Sequence, residues 1–313
     1  MSTAGSTSAR DGVRAAVARR AFEAVRARAP HAVEVVAVED GVDLETVDFL
    51  VPPSGDRVVL DPLPGLDRLA VVQVLSAGTD WIEDRMPAGA VLCNARGARD
   101  GPVAEWVLGA LLGASSGLLE CARDRTWGSR ELADLAAWTV LVVGMGSIGR
   151  LLESRLHALG SEVVGVGSHA HDGLHGVEEL PGLLPRADAV VVLTPLTEAT
   201  RGLIGASELA AMGDGTVLVN AARGPVVDTD ALLREVSTGR LRAVLDVTDP
   251  EPLPADHPLW SAPGVLSITP HIAGDSALGH ARAAALAGEQ LARWCAGEEL
   301  LNVVREPSSD RLH

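Results

Sequence analysis

Thr139-Val-Leu-Val-Val-Gly-Met-Gly-Ser-Ile-Gly-Arg150 is the stretch whose reading decides the fold. Its first half is a β-branched apolar run of the length of a buried strand. Its second half spaces glycines as Gly144-x-Gly146-x-x-Gly149 and enters a segment with apolar residues at Ile148, Leu151, Leu152, Leu156 and Leu159, the spacing of a helix with one buried face. A strand, a glycine turn and a helix in that order make a dinucleotide loop. Gly144 permits the tight turn, Gly146 lets the backbone approach a pyrophosphate, and Gly149 lets helix and strand pack closely. The phosphates then sit on the helix N-terminus, with Ser147 and Ile148 in its first turn, where unpaired N–H groups point outward. In a chain with 33 glycines the spacing alone is a weak signal; the flanking strand and helix give it weight.

Downstream of this loop the alternation continues. Strands are expected at Val163–Val166, Ala189–Leu193, Val217–Val219, Val244–Val247 and Val265–Ile268, with a helix at Thr229–Ser237. Strands alternating with helices at this pitch predict a parallel doubly wound sheet that binds its cofactor at the topological switch point. Upstream, Gly12–Ala29 reads as one amphipathic helix stopped by Pro30. Short strands follow at Val33–Val38, Val47–Val51, Val71–Leu75 and Ala90–Cys93. A continuous apolar helix is expected from Val103 to about Arg123, and a last helix over Ala281–Ala296, ended by Gly297.

Composition narrows the function. The net charge of −16, from 42 acidic against 26 basic residues, repels nucleic acid and anionic membrane over most of the surface. Every basic residue is Arg and Tyr is absent, a pattern of GC-rich coding that also rules out a catalytic lysine or tyrosine. Cys93, Cys121 and Cys295 form no CxxC pair, so neither a disulfide framework nor a structural zinc site is expected. His257 and the group His169, His171 and His175 lack a regularly spaced carboxylate or thiol, and no metal is expected. No stretch is long and apolar enough to span a bilayer, and Met1–Arg10 lacks the apolar core of a secretory signal, which places the expected protein in the cytoplasm.

Each strand of the second half ends in a polar signature: Thr194-Pro195-Leu-Thr197, Asn220-Ala221-Ala222-Arg223-Gly224, Asp246 leading to Glu251-Pro-Leu-Pro254, and Thr269-Pro-His271-Ile-Ala-Gly274. An Arg, an Asp, a Glu and a His on one rim beside a dinucleotide are the groups that hydride transfer to a 2-oxo acid needs. They supply a cation for the carboxylate, an acid/base for the oxygen, and a carboxylate to orient that base.

From about Gln73 to Val304 these motifs, with Ser76-Ala77-Gly78, Ala104-Glu-Trp106 and Gly297-Glu-Glu-Leu-Leu-Asn-Val-Val304, resemble the D-isomer-specific 2-hydroxyacid dehydrogenase family, close to its glyoxylate/hydroxypyruvate reductases. The resemblance implies an α/β fold. A Rossmann-type doubly wound parallel sheet, residues 99–274, is inserted in a smaller flavodoxin-like substrate domain, residues 1–98 plus 275–313. It also implies a catalytic cleft between the domains and a homodimer made mainly by the cofactor domain. Arg223 corresponds to the substrate-binding arginine, His271 to the general acid/base, and Glu251 to the carboxylate that fixes the imidazole tautomer. Asp246 matches an aspartate beside the nicotinamide. Ser76, Ala77 and Gly78 would hold the substrate carboxylate, Ala77 and Gly78 through backbone N–H groups. Gly144, Gly146, Ser147, Ile148, Gly149, Ser168, His169, Thr194, Pro195, Ala221, Ala222, Asp246, His271 and Gly274 would line the nucleotide.

Two departures from the family pattern stand out. The family opens with a strand, yet residues 1–11 carry no apolar run, so that strand is expected to be missing or rearranged. The acidic residue that accepts the adenosine ribose hydroxyls is also absent: Gly167 stands in its place, followed by Ser168 and His169. Small residues and a nitrogen donor there favour NADP over NAD, although Asp172 nearby pulls the other way. The expected activity is NAD(P)-dependent reduction of a small 2-oxo acid, or the reverse oxidation of the D-2-hydroxy acid. Corepressor-like scaffolds of the same family keep Arg, Glu and His with little turnover and form the alternative.

Overall fold

A computed structural model describes residues 12–129, 132–171 and 173–307. The chain forms two compact units, Met1–Arg99 with Ser276–His313 and Asp100–Asp275. In the first, β1 (Arg14–Val17) leads to α1 (Arg19–Arg26), β2 (Glu34–Ala37), β3 (Phe49–Val51), a single helical turn α2 (Arg57–Leu60), β4 (Val71–Gln73) and β5 (Val91–Cys93). Both carboxylate oxygens of Glu39 accept from the Arg19 N–H and so satisfy the start of α1.

The opening strand is present, and the helix expected over Gly12–Ala29 is wrong in its first third. Arg14–Val17 is a strand paired in parallel with β2 on one side and β3 on the other. Residues 1–11, where its loss was inferred, lie outside the described residues. Ala15, Ala16 and Val17 are wholly buried, Ala15 and Val17 toward one core and Ala16 toward the other. A short Ala-rich run buried on both faces has no alternation to reveal it, and its composition favours helix; burial in the middle of a sheet overrides that preference.

In the second unit α3 (Asp100–Ser115) and α4 (Leu118–Asp124) replace the single long helix expected there. The chain breaks at Gly117, which is left-handed at φ 68°, and the two axes meet at 73°. Then follow β6 (Thr139–Val143), α5 (Ser147–Ala158), β7 (Glu162–Gly167), β8 (His175–Gly176), α6 (Leu180–Leu183), β9 (Ala189–Val192), α7 (Ala206–Ala211), β10 (Val217–Asn220), α8 (Thr229–Ser237), β11 (Arg242–Leu245) and β12 (Val265–Ile268). The sheet order is β8-β7-β6-β9-β10-β11-β12 with every pair parallel. Alternate residues go to opposite cores: Leu141, Val143, Val190, Val192 and Leu218 to one, Val140, Val142, Val191, Val217 and Val219 to the other. Burial on both faces explains the near-continuous valine runs. From β6 the chain winds outward through β7 and β8, then crosses to β9 on the opposite side, so the winding reverses at the β6/β9 boundary.

The chain closes the first unit with α9 (Ala277–Ala296), one turn longer at its start than expected, and β13 (Val303–Arg305). Ser276 caps α9 by accepting from the Gly279 N–H. The first sheet reads β2-β1-β3-β4-β5-β13, parallel except for β13, which is the flavodoxin-like order with an antiparallel edge strand added. Ala21 and Val25 of α1 share a core with Ala283, Ala287 and Leu291 of α9. Among the described residues no single helix is long and apolar enough to cross a membrane.

Candidate active site

Because β6, β9, β10, β11 and β12 are parallel, their carboxyl ends share one rim, and the chain leaving each carries a predicted site residue. The turn from β6 into α5 holds the three glycines. Gly144 has φ +111°, and a Cβ there would lie 2.7 Å from the Leu193 carbonyl carbon; a Cβ on Gly149 would lie 2.5 Å from the Gly144 oxygen. The protein's own backbone requires these two glycines. A Cβ on Gly146 would meet nothing within 4 Å. Open space lies over that residue, which caps α5 without any side-chain hydrogen bond, so the first-turn N–H groups of Ser147 and its neighbours remain available to an anion.

Thr194 follows β9 beside this turn, its backbone N 2.8 Å from where a Gly144 Cβ would be. Its hydroxyl is buried and has no partner among the described residues. Buried hydroxyls rarely stay unpaired, so an open space over Gly146 and an orphaned donor or acceptor next to it fit a bound dinucleotide. Pro195 is held by Thr200, whose hydroxyl donates to the Pro195 carbonyl at 2.6 Å.

The chain leaving β10 is folded by Asn220, a residue to which its sequence assigns no role. The wholly buried amide accepts from the Ala222 N–H at 3.0 Å and donates to the Arg223 carbonyl at 3.1 Å, which curls Ala221–Arg223 over the end of the strand. Gly224 makes that curl possible: a Cβ there would lie 2.0 Å from the Thr248 oxygen. The half-buried Arg223 guanidinium donates to the Ala222 carbonyl at 2.7 Å.

Asp246, at the end of β11, is buried and organises the next loop. One carboxylate oxygen accepts from the Thr269 hydroxyl at 2.6 Å and the Ile272 N–H at 2.8 Å; the other accepts from the Ala273 N–H at 2.9 Å. Its carbonyl accepts from the His271 N–H at 2.8 Å. His271 sits in the left-handed region at φ 56°, uncommon for a side chain with a Cβ, and these bonds hold it there. Its Nδ1 lies 2.7 Å from Glu251 Oε1, with both side chains about two-fifths exposed. Gly274 follows as the loop leaves the rim.

Of the remaining predicted residues, two share this rim, at the carboxyl end of β7. Ser168 and His169 follow β7 and are exposed, and the His169 carbonyl lies 2.8 Å from His171 Nδ1. His175 contacts Glu179 at 2.8 Å; that carboxylate also accepts from the Gly176 N–H, and the two bonds hold it below its usual range, the backbone bond more strongly. His257 caps a short turn, its Nδ1 3.3 Å from the Leu259 N–H. Asp172 lies outside the described residues. Ser76, Ala77 and Gly78 belong to the first unit, on the chain leaving β4.

A doubly wound sheet with an open glycine turn at its switch point and a His–Glu pair on the same rim defines the class: an α/β dinucleotide-binding protein equipped for acid–base chemistry. Residues 110–273 match the family model described as D-isomer specific 2-hydroxyacid dehydrogenase, NAD binding domain, and the chain belongs to that family. It is 29% identical over 279 residues to a D-3-phosphoglycerate dehydrogenase of Methanocaldococcus jannaschii, covering 85% of this chain and 53% of that protein. The chain thus spans about half of that relative's length. To a glyoxylate reductase of Thermofilum pendens it is 31% identical over 274 residues, covering 82% of this chain and 80% of the relative. A D-isomer specific 2-hydroxyacid dehydrogenase of Xanthobacter autotrophicus Py2, solved in complex with NADPH and MES, superposes with a TM-score of 0.79 at 30% identity, covering 95% of this chain and 98% of that one.

Proposed function

We propose that the protein is an NAD(P)-dependent oxidoreductase that reduces a small 2-oxo acid, such as glyoxylate or hydroxypyruvate, to the D-2-hydroxy acid. The His271–Glu251 contact carries this reading. With Nδ1 facing the carboxylate, Nε2 is the imidazole nitrogen left to deliver a proton. Arg223 pairs with the substrate carboxylate and polarises the 2-oxo group, and the N–H groups of Ala77 and Gly78 are further donors to the carboxylate. Reduced nicotinamide, when bound, supplies the hydride to C2. The carbonyl π pair moves onto oxygen, and the proton from Nε2 completes the hydroxyl. The substrate domain corresponds to residues 1–98 plus 275–313, and the cofactor domain to residues 99–274.

We favour NADPH over NADH as the cofactor. Gly167, Ser168 and His169 place no carboxylate after β7 to repel a 2′-phosphate, and the Xanthobacter relative was solved with NADPH. A homodimer through the second unit is supported by the exposed apolar side chains Leu112, Leu118, Trp127 and Leu132 on and after α3 and α4. A cytoplasmic setting fits three free cysteines. Initial rates of NADPH and NADH oxidation with a series of 2-oxo acids test the whole reading. Tight nucleotide binding with negligible turnover on every acid favours the scaffold alternative, and a tenfold preference for NADH rejects the cofactor assignment.

A further inference from the structure

Along an extended strand successive carbonyls point in opposite directions. In the chain leaving β4 two successive ones turn toward the same segment: the Ser76 carbonyl accepts from the Ala95 N–H at 2.8 Å, and the Ala77 carbonyl accepts from Asn94 Nδ2 at 2.7 Å. Across a planar trans peptide the N–H points opposite to the C=O, so the N–H groups of Ala77 and Gly78 both face away from residues 94–95. Successive N–H groups on one side of the chain form an anion-binding concavity. Neither N–H donates to a protein acceptor among the described residues, and Ala77 is exposed.

Two side chains enforce this arrangement. Asn94 has its amide oriented by the Arg96 N–H, which donates to Oδ1 at 3.1 Å, so the nitrogen faces the Ala77 carbonyl. Gly78 is the loop residue with most conformational freedom. Its carbonyl is pinned by the Ser76 hydroxyl at 2.7 Å and by Trp81 Nε1 at 3.3 Å, and the same indole nitrogen lies 3.3 Å from Ser76 Oγ. The indole N–H thus locks a turn that glycine alone would leave loose.

We infer that Asn94 and Trp81 are positioning residues, which pre-set the N–H groups of Ala77 and Gly78 as a cradle for the carboxylate of the substrate. This deepens the 2-oxo acid reductase reading and rests on it for the identity of the ligand. Neither side chain touches the substrate: Asn94 acts through the Ala77 carbonyl, whose peptide partner is the Gly78 N–H, and Trp81 through the Gly78 carbonyl and the Ser76 hydroxyl, which hold the backbone on either side of the cradle. A rigid cradle binds an anion without first ordering the loop, so its loss should appear in substrate affinity and not in the chemical step.

Two conservative variants of the full-length protein test this. Trp81→Phe keeps the ring and removes the donor; Asn94→Asp keeps the size and the Arg96 contact and removes the donor to Ala77. Each should raise the KM for the 2-oxo acid about 3- to 10-fold, the worth of one hydrogen bond, with kcat and the nucleotide KM changed less than about twofold. The direct probe is oxamate, an unreactive 2-oxo acid mimic, titrated while the ¹H–¹⁵N resonances of Ala77 and Gly78 are followed. Large shifts of those two amides in the wild type, at lower oxamate concentration than in either variant, are expected. Unmoved amides in the wild type would overturn the cradle, and equal affinities in wild type and variants would overturn the positioning role. Oxamate binding through these amides in a protein that reduces no 2-oxo acid would leave the cradle standing and remove the reductase reading instead.

Discussion

His271 Nδ1 lies 2.7 Å from Glu251 Oε1, and this contact leaves Nε2 as the ring nitrogen not engaged by the carboxylate. If that nitrogen donates the proton, His271→Ala lowers turnover by roughly 10²- to 10⁴-fold while nucleotide affinity stays nearly constant, the usual contribution of general acid catalysis. Glu251→Gln keeps a hydrogen-bond acceptor but removes the charge, so it should cost less than His271→Ala. Steady-state rates beside fluorescence titration of NADPH check both; wild-type turnover in His271→Ala would remove the histidine from the chemistry.

Asp246 holds the histidine loop from beneath. An amide in its place can accept at only one oxygen and presents two hydrogens where the loop presents N–H donors. Asp246→Asn is therefore expected to destabilise by about 1–3 kcal/mol, the range for leaving a buried polar group unsatisfied, and to lower turnover by releasing His271 from its left-handed backbone. Chemical denaturation and kcat measured on the same preparation test the coupling, since unchanged stability with lost turnover would place Asp246 in the chemistry instead.

The three loop glycines should separate cleanly by substitution. Gly144→Ala puts a Cβ into the Leu193 backbone at positive φ, and Gly149→Ala puts one into the Gly144 carbonyl, so both variants should lose more than about 2 kcal/mol of stability. Gly146→Ala meets nothing within 4 Å and should melt as the wild type does, while binding NADPH much more weakly. Thermal melts without nucleotide and binding isotherms distinguish the two outcomes. A Gly146→Ala protein with full affinity would mean that no pyrophosphate approaches that backbone.

Burial pushes the Cys93 thiol up to about 11, against the opposing hydrogen bond of Gln290. Cys121 is exposed and Cys295 is buried. At about pH 8 an alkylating reagent should therefore consume Cys121 quickly and the other two thiols only on unfolding. Because the unfolded chain loses the Cys93 proton first, stability should fall as the pH rises from about 9 toward about 11. Mass-resolved alkylation and denaturation midpoints at both ends of that window check the sign.

What was legible follows from where the information resides. The second unit's strands were readable because burial on both faces writes unbroken valine runs between helices, and the glycine turn because the backbone at Gly144 and Gly149 admits no side chain. β1 was not readable, since Arg-Ala-Ala-Val is too short and too alanine-rich to signal a strand until its neighbours bury it. The break between α3 and α4 was passed over because apolar residues resume at Leu118 and Leu119, although Ser115-Ser116-Gly117 interrupts the pattern where the backbone turns. Arg223, Glu251 and His271 could be named from motifs. The roles of Asn220, Asp246, Asn94 and Trp81 depend on which carbonyl or N–H each side chain meets, and such partners appear only when distant segments fold together.

The first unit is assembled from both ends of the chain, with the second unit encoded between them. A ribosome therefore delivers α9 and β13 after the whole of the second unit. The second unit has all its strands while α1 still lacks its packing partner and β5 its edge neighbour, so the order of synthesis differs from the order of residue numbers in the folded core. Nascent chains arrested once Asp275 has cleared the ribosomal exit tunnel should accordingly show a protease-resistant second unit behind a sensitive amino-terminal segment. Resistance of that segment before α9 emerges would show that the first five strands close on their own.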